Sequence, residues 1–385
     1  MSGPFGIVHS LAIQLMTILF KKRIFLFIIN GLGLGNAVRC HGIIQGLRAQ
    51  GATVAIATAN NGLWYFHHNT DWQSLHELDA FHYAANLQGK LSVAGTVKNF
   101  FKYSKILYKN VKSLRHLLTC VEPHVIVTDS DYSCTLVRHR GIPVVAINNA
   151  NEVETLYHRF SDRPRSIRPH FWTIEHHDAL FHRLIPDMTI SPALESGQHQ
   201  THPRLHTVGP IVRRGLPCRV RRSGLHRVVV LLSGSAFASH IHFTLPHYPV
   251  AIDVIGRQTP KGVDPLPQGV VFHGKVADTR PLLQQADMLV VNGGFSAISE
   301  GFWLGIPMVV APVAYHAEQW VNARLIQHLG VGTLVAEGNL EQALLASLDR
   351  VEHYRQSYEQ LPIPDDGAAQ ATKLLMELAF SLPNP

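Results

Sequence analysis

Short apolar runs recur along the chain, each closed by glycine or a polar turn. The segments between them repeat apolar positions at three- and four-residue spacing. Unbroken runs of this kind fit parallel strands buried on both faces, and the intervening periodicity fits helices. Residues 24–29 form the first run. Gly31-Leu-Gly-Leu-Gly35 follows, then a helix over 37–49 and a second strand over 53–58. The pattern returns with strands at 125–128, 144–147 and 188–191 and a helix over 132–139. After an irregular stretch rich in Arg, Pro and Gly (213–227), a second series begins. Its strands are expected at 228–232, 251–255, 270–272, 288–291, 308–311 and 332–335, with helices at 280–285, 296–304, 318–328 and 340–355. Leu361-Pro-Ile-Pro364 breaks the chain before a final helix over 368–380. Alternating strands and helices in both series predict an α/β fold of two doubly wound, Rossmann-like domains facing across a cleft. The expected division is an extension over 1–22, a first domain over 23–212, a linker over 213–227 and a second domain over 228–365. A C-terminal helix, 366–385, is expected to pack back on the first domain.

Length supports this division, since 385 residues exceed one typical core. Four scattered cysteines, Cys40, Cys120, Cys134 and Cys218, form no CxxC pair, which argues against a disulfide framework or a zinc site and fits a reducing cytoplasm. The formal charge of +7 with 25 histidines suits an anionic partner, without selecting one. The apolar stretch 11–20 is short of the roughly 20 residues a membrane span requires. Its cationic cluster, Lys21-Lys22-Arg23, follows the run instead of preceding it, unlike a signal peptide. Residues 1–22 are therefore expected to be a non-essential extension, with a surface anchor as the alternative.

The most specific chemistry lies between residues 291 and 323. A strand reaches Gly293-Gly294, a helix starts at Ser296, and Glu300 sits one helical turn in. Backbone N–H groups at such a turn suit phosphate oxygens, and the carboxylate suits sugar hydroxyls. A Gly-Ile-Pro turn, another strand and Glu318-Gln319 follow. The first glycine loop is a different matter. From Gly33-x-Gly35 the third glycine position falls on Val38, and the second strand ends in Thr58-Ala-Asn60 without an acid, so the dinucleotide fingerprint is absent. No G-K-[ST] follows, which removes a P-loop. That loop is read as one where a substrate lies against backbone at a helix N-terminus. Glu175-His-His-Asp178 and His182 have no metal-site spacing, and no metal is expected.

These residues carry a resemblance. Residues 270–335 look like the C-terminal half of a GT-B glycosyltransferase, similar to the lipid II N-acetylglucosaminyl transferase and UDP-glycosyltransferase families. In those families a G-x-x-[ST]-x-x-E segment holds the donor diphosphate and ribose, and a [DE]-Q-x-x-N-A segment touches the donor sugar. Gly294, Ser296, Ala297 and Glu300 fill the first here, and Glu318, Gln319, Asn322 and Ala323 the second. The resemblance adds Gly293, His316, Val276 in the loop Gly274-Lys-Val276, and Gly234 and Ser235 of Ser233-Gly-Ser235 to the donor side. Gly33-Leu-Gly-Asn-Ala-Val-Arg39 resembles the family's G-x-G-H-x-x-R loop, which places Gly35 and Arg39 beside the substrates. The family histidine, assigned as the base that deprotonates the acceptor, falls on Asn36. An amide cannot take that proton near neutral pH. Asp129, Asp131 and His41 are the other candidates for the base.

The resemblance implies an inverting, metal-independent transferase that moves a sugar from a nucleotide-diphosphate donor, UDP-linked by similarity, to an acceptor hydroxyl or amine. A nucleotide-sugar hydrolase or epimerase on the same fold, or a non-catalytic nucleotide-sugar binder, is the alternative. No cofactor beyond the donor is implied. One further segment is distinctive: Lys98, Lys102, Lys105, Lys109 and Lys112 recur beside apolar positions, and no acid occurs between Leu91 and Cys120. This amphipathic helix is either a core helix with solvated lysines or a peripheral contact with an anionic membrane or lipid-linked acceptor. Nucleic acid is not expected, because no recognition motif accompanies the lysines.

Overall fold

The computed structural model of the chain describes residues 22–69, 74–79, 93–137, 141–195, 202–232, 243–259, 265–335 and 340–382, with backbone alone for 93–103. The elements of the first half are β1 (Ile24–Ile29), α1 (Gly35–Ala49), β2 (Thr53–Thr58), α2 (Asn60–Asn69), β3 (Leu75–Glu77), α3 (Val93–Val121) and β4 (Val125–Asp129). They continue with β5 (Val144–Ile147), α4 (Ala150–Arg159), a π-helical turn (Phe171–Glu175), α5 (His176–Leu184), β6 (Met188–Pro192) and β7 (Leu205–Val208). The second half holds β8 (Arg227–Leu231), β9 (His247–Ile255), β10 (Gln268–Gly274), α6 (Arg280–Gln285), β11 (Met288–Val291), α7 (Phe295–Leu304) and β12 (Met308–Val310). It closes with α8 (Ala317–His328), β13 (Gly332–Leu334), α9 (Leu340–Leu348), α10 (Val351–Gln360) and α11 (Gly367–Ser381).

Two parallel sheets result. The first has the order β3-β2-β1-β4-β5-β6-β7 and the second β10-β9-β8-β11-β12-β13. Buried apolar residues line the central strands of both, because helices cover each face. In each sheet the strand order reverses once: between β1 and β4, paired through Ile29 and Asp129, and between β8 and β11, paired through Leu231 and Val291. The crevice outside the strand C-termini at such a reversal is where doubly wound folds take ligands.

Apolar packing joins the halves. Leu156 and Tyr157 of α4, Phe160 just after it and Phe171 belong to one buried cluster with Phe295, Ile298 and Trp320 from the second half. The final helix, α11, lies on α1, where Ala371, Leu375 and Ala379 enter the core of the first sheet. Close approach sets this arrangement. A Cβ on Gly42 of α1 would lie 2.4 Å from the Val212 carbonyl oxygen, so only glycine lets α1 pass the start of the linker.

Several expectations are corrected. The helix expected over 132–139 is a short 3-10 turn, Ser133–Val137. There Thr128 and Ser133 bond Asp131 and hold the chain in a tighter path than an α-helix permits. The helix expected over 340–355 divides, because the backbone leaves helical geometry at Arg350, with φ −104° and ψ 4°. Helices α2 and α4 were not apparent in the sequence. Among the described residues no helix is long and apolar enough to cross a membrane. Helix α3 turns Val111, Leu114, Leu117 and Leu118 into the core and leaves Lys105, Lys109 and Lys112 exposed. The side chains of Lys98 and Lys102, the loop with Gly234 and Ser235, and residues 1–21 lie outside the described residues.

Candidate active site

Two helix N-termini converge at the reversal points of the two sheets. Helix α1 begins at Gly35 just beyond β1, and α7 begins at Phe295 just beyond β11. Neither start has a side-chain cap, and neither first turn has an acid. Each therefore presents backbone N–H groups with no side chain to satisfy them, together with roughly half a positive charge from its dipole. The ends touch: Ser296 Oγ donates to the Gly35 carbonyl at 2.9 Å. Gly293 reaches φ +97°, a conformation that side chains rarely adopt, and a Cβ there would lie 2.8 Å from the Gln319 carbonyl oxygen. Asn322 Nδ2 donates to the Gly293 carbonyl at 3.0 Å and fixes the turn from behind. Gln319 Oε1 accepts from the Val313 N–H at 2.9 Å. Gly294 has open space beside it, and Ala297 packs at the edge of the apolar cluster.

The candidate bases fall in different settings. Asp129 is fully buried and held by Arg39, whose Nε and Nη2 reach its two oxygens at 2.9 and 2.7 Å. Burial alone would lower the Arg39 pKa, but the Asp129 charge and hydrogen bonds more than offset it. Asp129 is thus an anchor for α1 here. His41 bonds the Tyr65 hydroxyl through Nδ1 at 2.8 Å, and burial, aided by Arg213, pulls its pKa down to about 4. Asp131 receives the Ser133 N–H on Oδ1 at 2.9 Å, along with the Ser133 hydroxyl, and burial raises its pKa against those bonds. Between the two aspartates, Ser130 takes a left-handed φ of +55°, local strain of the kind that collects at functional sites. Asn36 is half-buried, the second residue of α1.

Arg39 also reaches Asn149 Oδ1 at 3.4 Å, and Asn149 Nδ2 donates to Glu318 Oε1 at 3.1 Å. A continuous polar chain therefore runs from Asp129 through Arg39 and Asn149 to the Glu318 motif of the other half. Burial raises the Glu318 pKa, while Asn149 and Arg39 oppose the rise. Asn149 was missed in the sequence, although two asparagines directly after an apolar strand were a signal. His316 precedes α8 with its ring 4.6 Å from that of His170. Val276 is partly buried against the apolar cluster, and its neighbour Lys275 bonds Asn61 Oδ1 at 2.8 Å and covers the Trp64 ring.

Glu300 is buried on α7 and held by a residue from the expected linker. Arg213 Nε and Nη2 donate to its two oxygens at 2.7 and 2.8 Å, and Arg213 also bonds Thr279 at 2.7 Å. Arginine fits this fork because its planar group matches a carboxylate. Both oxygens of this buried carboxylate are thus bonded, and any further partner would have to reach its remaining lone pairs. Nothing in the linker's composition marked Arg213 as different from its solvated neighbours. Arg213→Ala would strand a buried carboxylate, at a cost of about 3–5 kcal/mol. Urea unfolding is expected to show that loss, and Arg213→Met with Glu300→Leu should recover most of it. A single-variant loss below about 1 kcal/mol would show that the pair is not load-carrying.

Comparison with known proteins places the chain in a family. The model of the family described as Glycosyl transferase family 1 matches residues 23–351. A relative from Methanosarcina mazei, named as an uncharacterized glycosyltransferase, is 25% identical over 368 residues, spanning 88% of this chain and 93% of its own. A shorter match of 73 residues, 30% identical, covers 19% of this chain and 18% of the NDP-glycosyltransferase YjiC of Bacillus licheniformis. Among solved structures, the calicheamicin glycosyltransferase CalG4 superposes with a TM-score of 0.60 at 16% identity, covering 95% of this chain and all of that one. MurG of Acinetobacter baumannii gives 0.53 at 13% identity, covering 94% of this chain and 100% of its own. The structures establish the shared GT-B fold.

Proposed function

Because the chain belongs to glycosyl transferase family 1 and is a glycosyltransferase, we propose that it moves a sugar from a UDP-linked donor to an acceptor hydroxyl or amine, with inversion and without a cation in the transfer step. One observation carries this: two uncapped helix N-termini, at Gly35 and Phe295, meet at the reversal points of both sheets. Their N–H groups and dipoles suit a diphosphate, whose charge grows as the glycosidic bond breaks. Asp129 is committed to Arg39 through both oxygens, so Asp129 and Asp131 do not form a free acidic pair for a cation. Glu300, squared by Arg213, offers its remaining lone pairs to the ribose hydroxyls. The relative named as an NDP-glycosyltransferase supports a nucleoside-diphosphate donor.

In this account residues 23–212 with 366–385 hold the acceptor, 213–227 link the halves, and 228–365 hold the donor. The donor sugar lies between Glu318-Gln319 and the first half. The acceptor approaches from the face opposite the diphosphate, and a single displacement from that side inverts the anomeric carbon. Asp131 is the group best placed to take the acceptor proton. It follows the strand at the first reversal point, its Oδ2 is outside the bonds to Ser133, and its raised pKa strengthens it as a base. Asn36 then orients substrate. The exposed Lys105, Lys109 and Lys112 would bring the enzyme to an anionic lipid surface.

Three tests follow from these assignments. Glu300→Gln should weaken UDP binding at least tenfold in titration calorimetry, and unchanged affinity would remove the ribose contact. Asp131→Asn should lower kcat by about 10²–10⁴ with little change in KM, whereas a wild-type rate would rule out Asp131 as the base. Flotation with phosphatidylserine vesicles should fall with salt and when Lys105, Lys109 and Lys112 become Gln, and flotation indifferent to both salt and the three substitutions would contradict the lysine contact.

A further inference from the structure

We propose that His170, Glu175 and His316 bind one divalent transition-metal ion, Zn2+ by ligand type, which ties the first half of the chain to the loop preceding α8. One potential ligand atom from each residue lies within 4.8 Å of the other two. His170 Nδ1 is 3.3 Å from Glu175 Oε1, and the His170 and His316 rings stand 4.6 Å apart at 36°. A tetrahedral zinc ion with nitrogen and oxygen ligands at about 2.0–2.2 Å separates those ligands by roughly 3.4 Å. The first pair already meets that spacing, and ring rotation of about an ångström brings in the third.

The chemistry of the cluster calls for a cation. His170 Nδ1 faces Glu175 Oε1 at 3.3 Å and the Ala317 N–H at 3.4 Å, and a metal ion on Nδ1 would take the place of that long N–H contact. His316 Nδ1 is buried and has no hydrogen-bond partner among the described residues. Two imidazoles and a carboxyl thus share one small volume, and a buried His316 Nδ1 left without a partner there normally costs stability. The Glu175 carboxyl, raised by burial, accepts the Glu318 backbone N–H, which orients it as an outer partner would orient a ligand. Two imidazoles with one carboxylate match the borderline preference of zinc. His170 precedes and Glu175 ends the π-helical turn of the first half, and His316 begins the Glu318-Gln319 segment of the second. The ion therefore clips the two together beside the segment proposed to face the donor sugar, and the inference stands whether or not the donor is UDP.

The test uses the full chain, stripped with a chelator, dialysed and titrated with ZnCl2 alone against a chromophoric competitor. The 25 histidines make weak adventitious binding certain, so the criterion is a single tight equivalent. One equivalent should bind with micromolar or lower Kd, and Co2+ in its place should give a tetrahedral absorption band. His170→Ala and His316→Ala should each weaken binding at least tenfold, with circular dichroism unchanged, while the exposed His177→Ala should have no effect. Absence of one tight equivalent in the wild type, or its retention by the His170→Ala/His316→Ala protein, overturns the site. Glu175 would then be held as a neutral acid.

Discussion

The structure depends on an electrostatic constraint: two helices must point their unsatisfied N-termini at the same place. Each half of the chain builds a parallel sheet whose order reverses once, and each reversal delivers one helix start, at Gly35 and at Phe295. Two such ends repel one another, and hydrogen bonds such as Ser296 to Gly35 offset only part of that repulsion. A bound anion would remove it. The positive ends would then already be in place when the leaving group gains charge.

Two buried arginine forks keep those ends aligned. Arg39 locks α1 to the end of β4 through Asp129, and Arg213 locks the linker to α7 through Glu300. The first lies within one half, and the second spans the connection between halves. Replacing such a pair with apolar residues often costs little stability, so the geometry they enforce is a better account of their presence than the energy they add. The chain from Asp129 through Arg39 and Asn149 to Glu318 carries this alignment to the segment expected to face the donor sugar.

Much of this was legible in the sequence, for physical reasons. Central strands such as residues 24–29 and 288–291 are apolar throughout because helices cover both faces, and the Gly293-Gly294 turn stands out because φ +97° is costly for other residues. Partnerships were harder to read. Glu300 carries no mark that its carboxylate meets Arg213, 87 positions away, and Asp129 gives no sign that it serves Arg39. The expected helix at 132–139 failed because local bonds from Ser133 and Thr128 to Asp131 override helical spacing. His170, Glu175 and His316 lie far apart in the chain and have no motif spacing, so only the fold brings them together.

The most direct test of the central claim is a crystal structure of the full chain with UDP. The diphosphate should lie between the start of α1 and the Gly294–Ser296 turn, with Ser296 Oγ released from the Gly35 carbonyl and the ribose hydroxyls on Glu300. Nucleotide bound elsewhere, with the Ser296–Gly35 contact intact, would contradict the account.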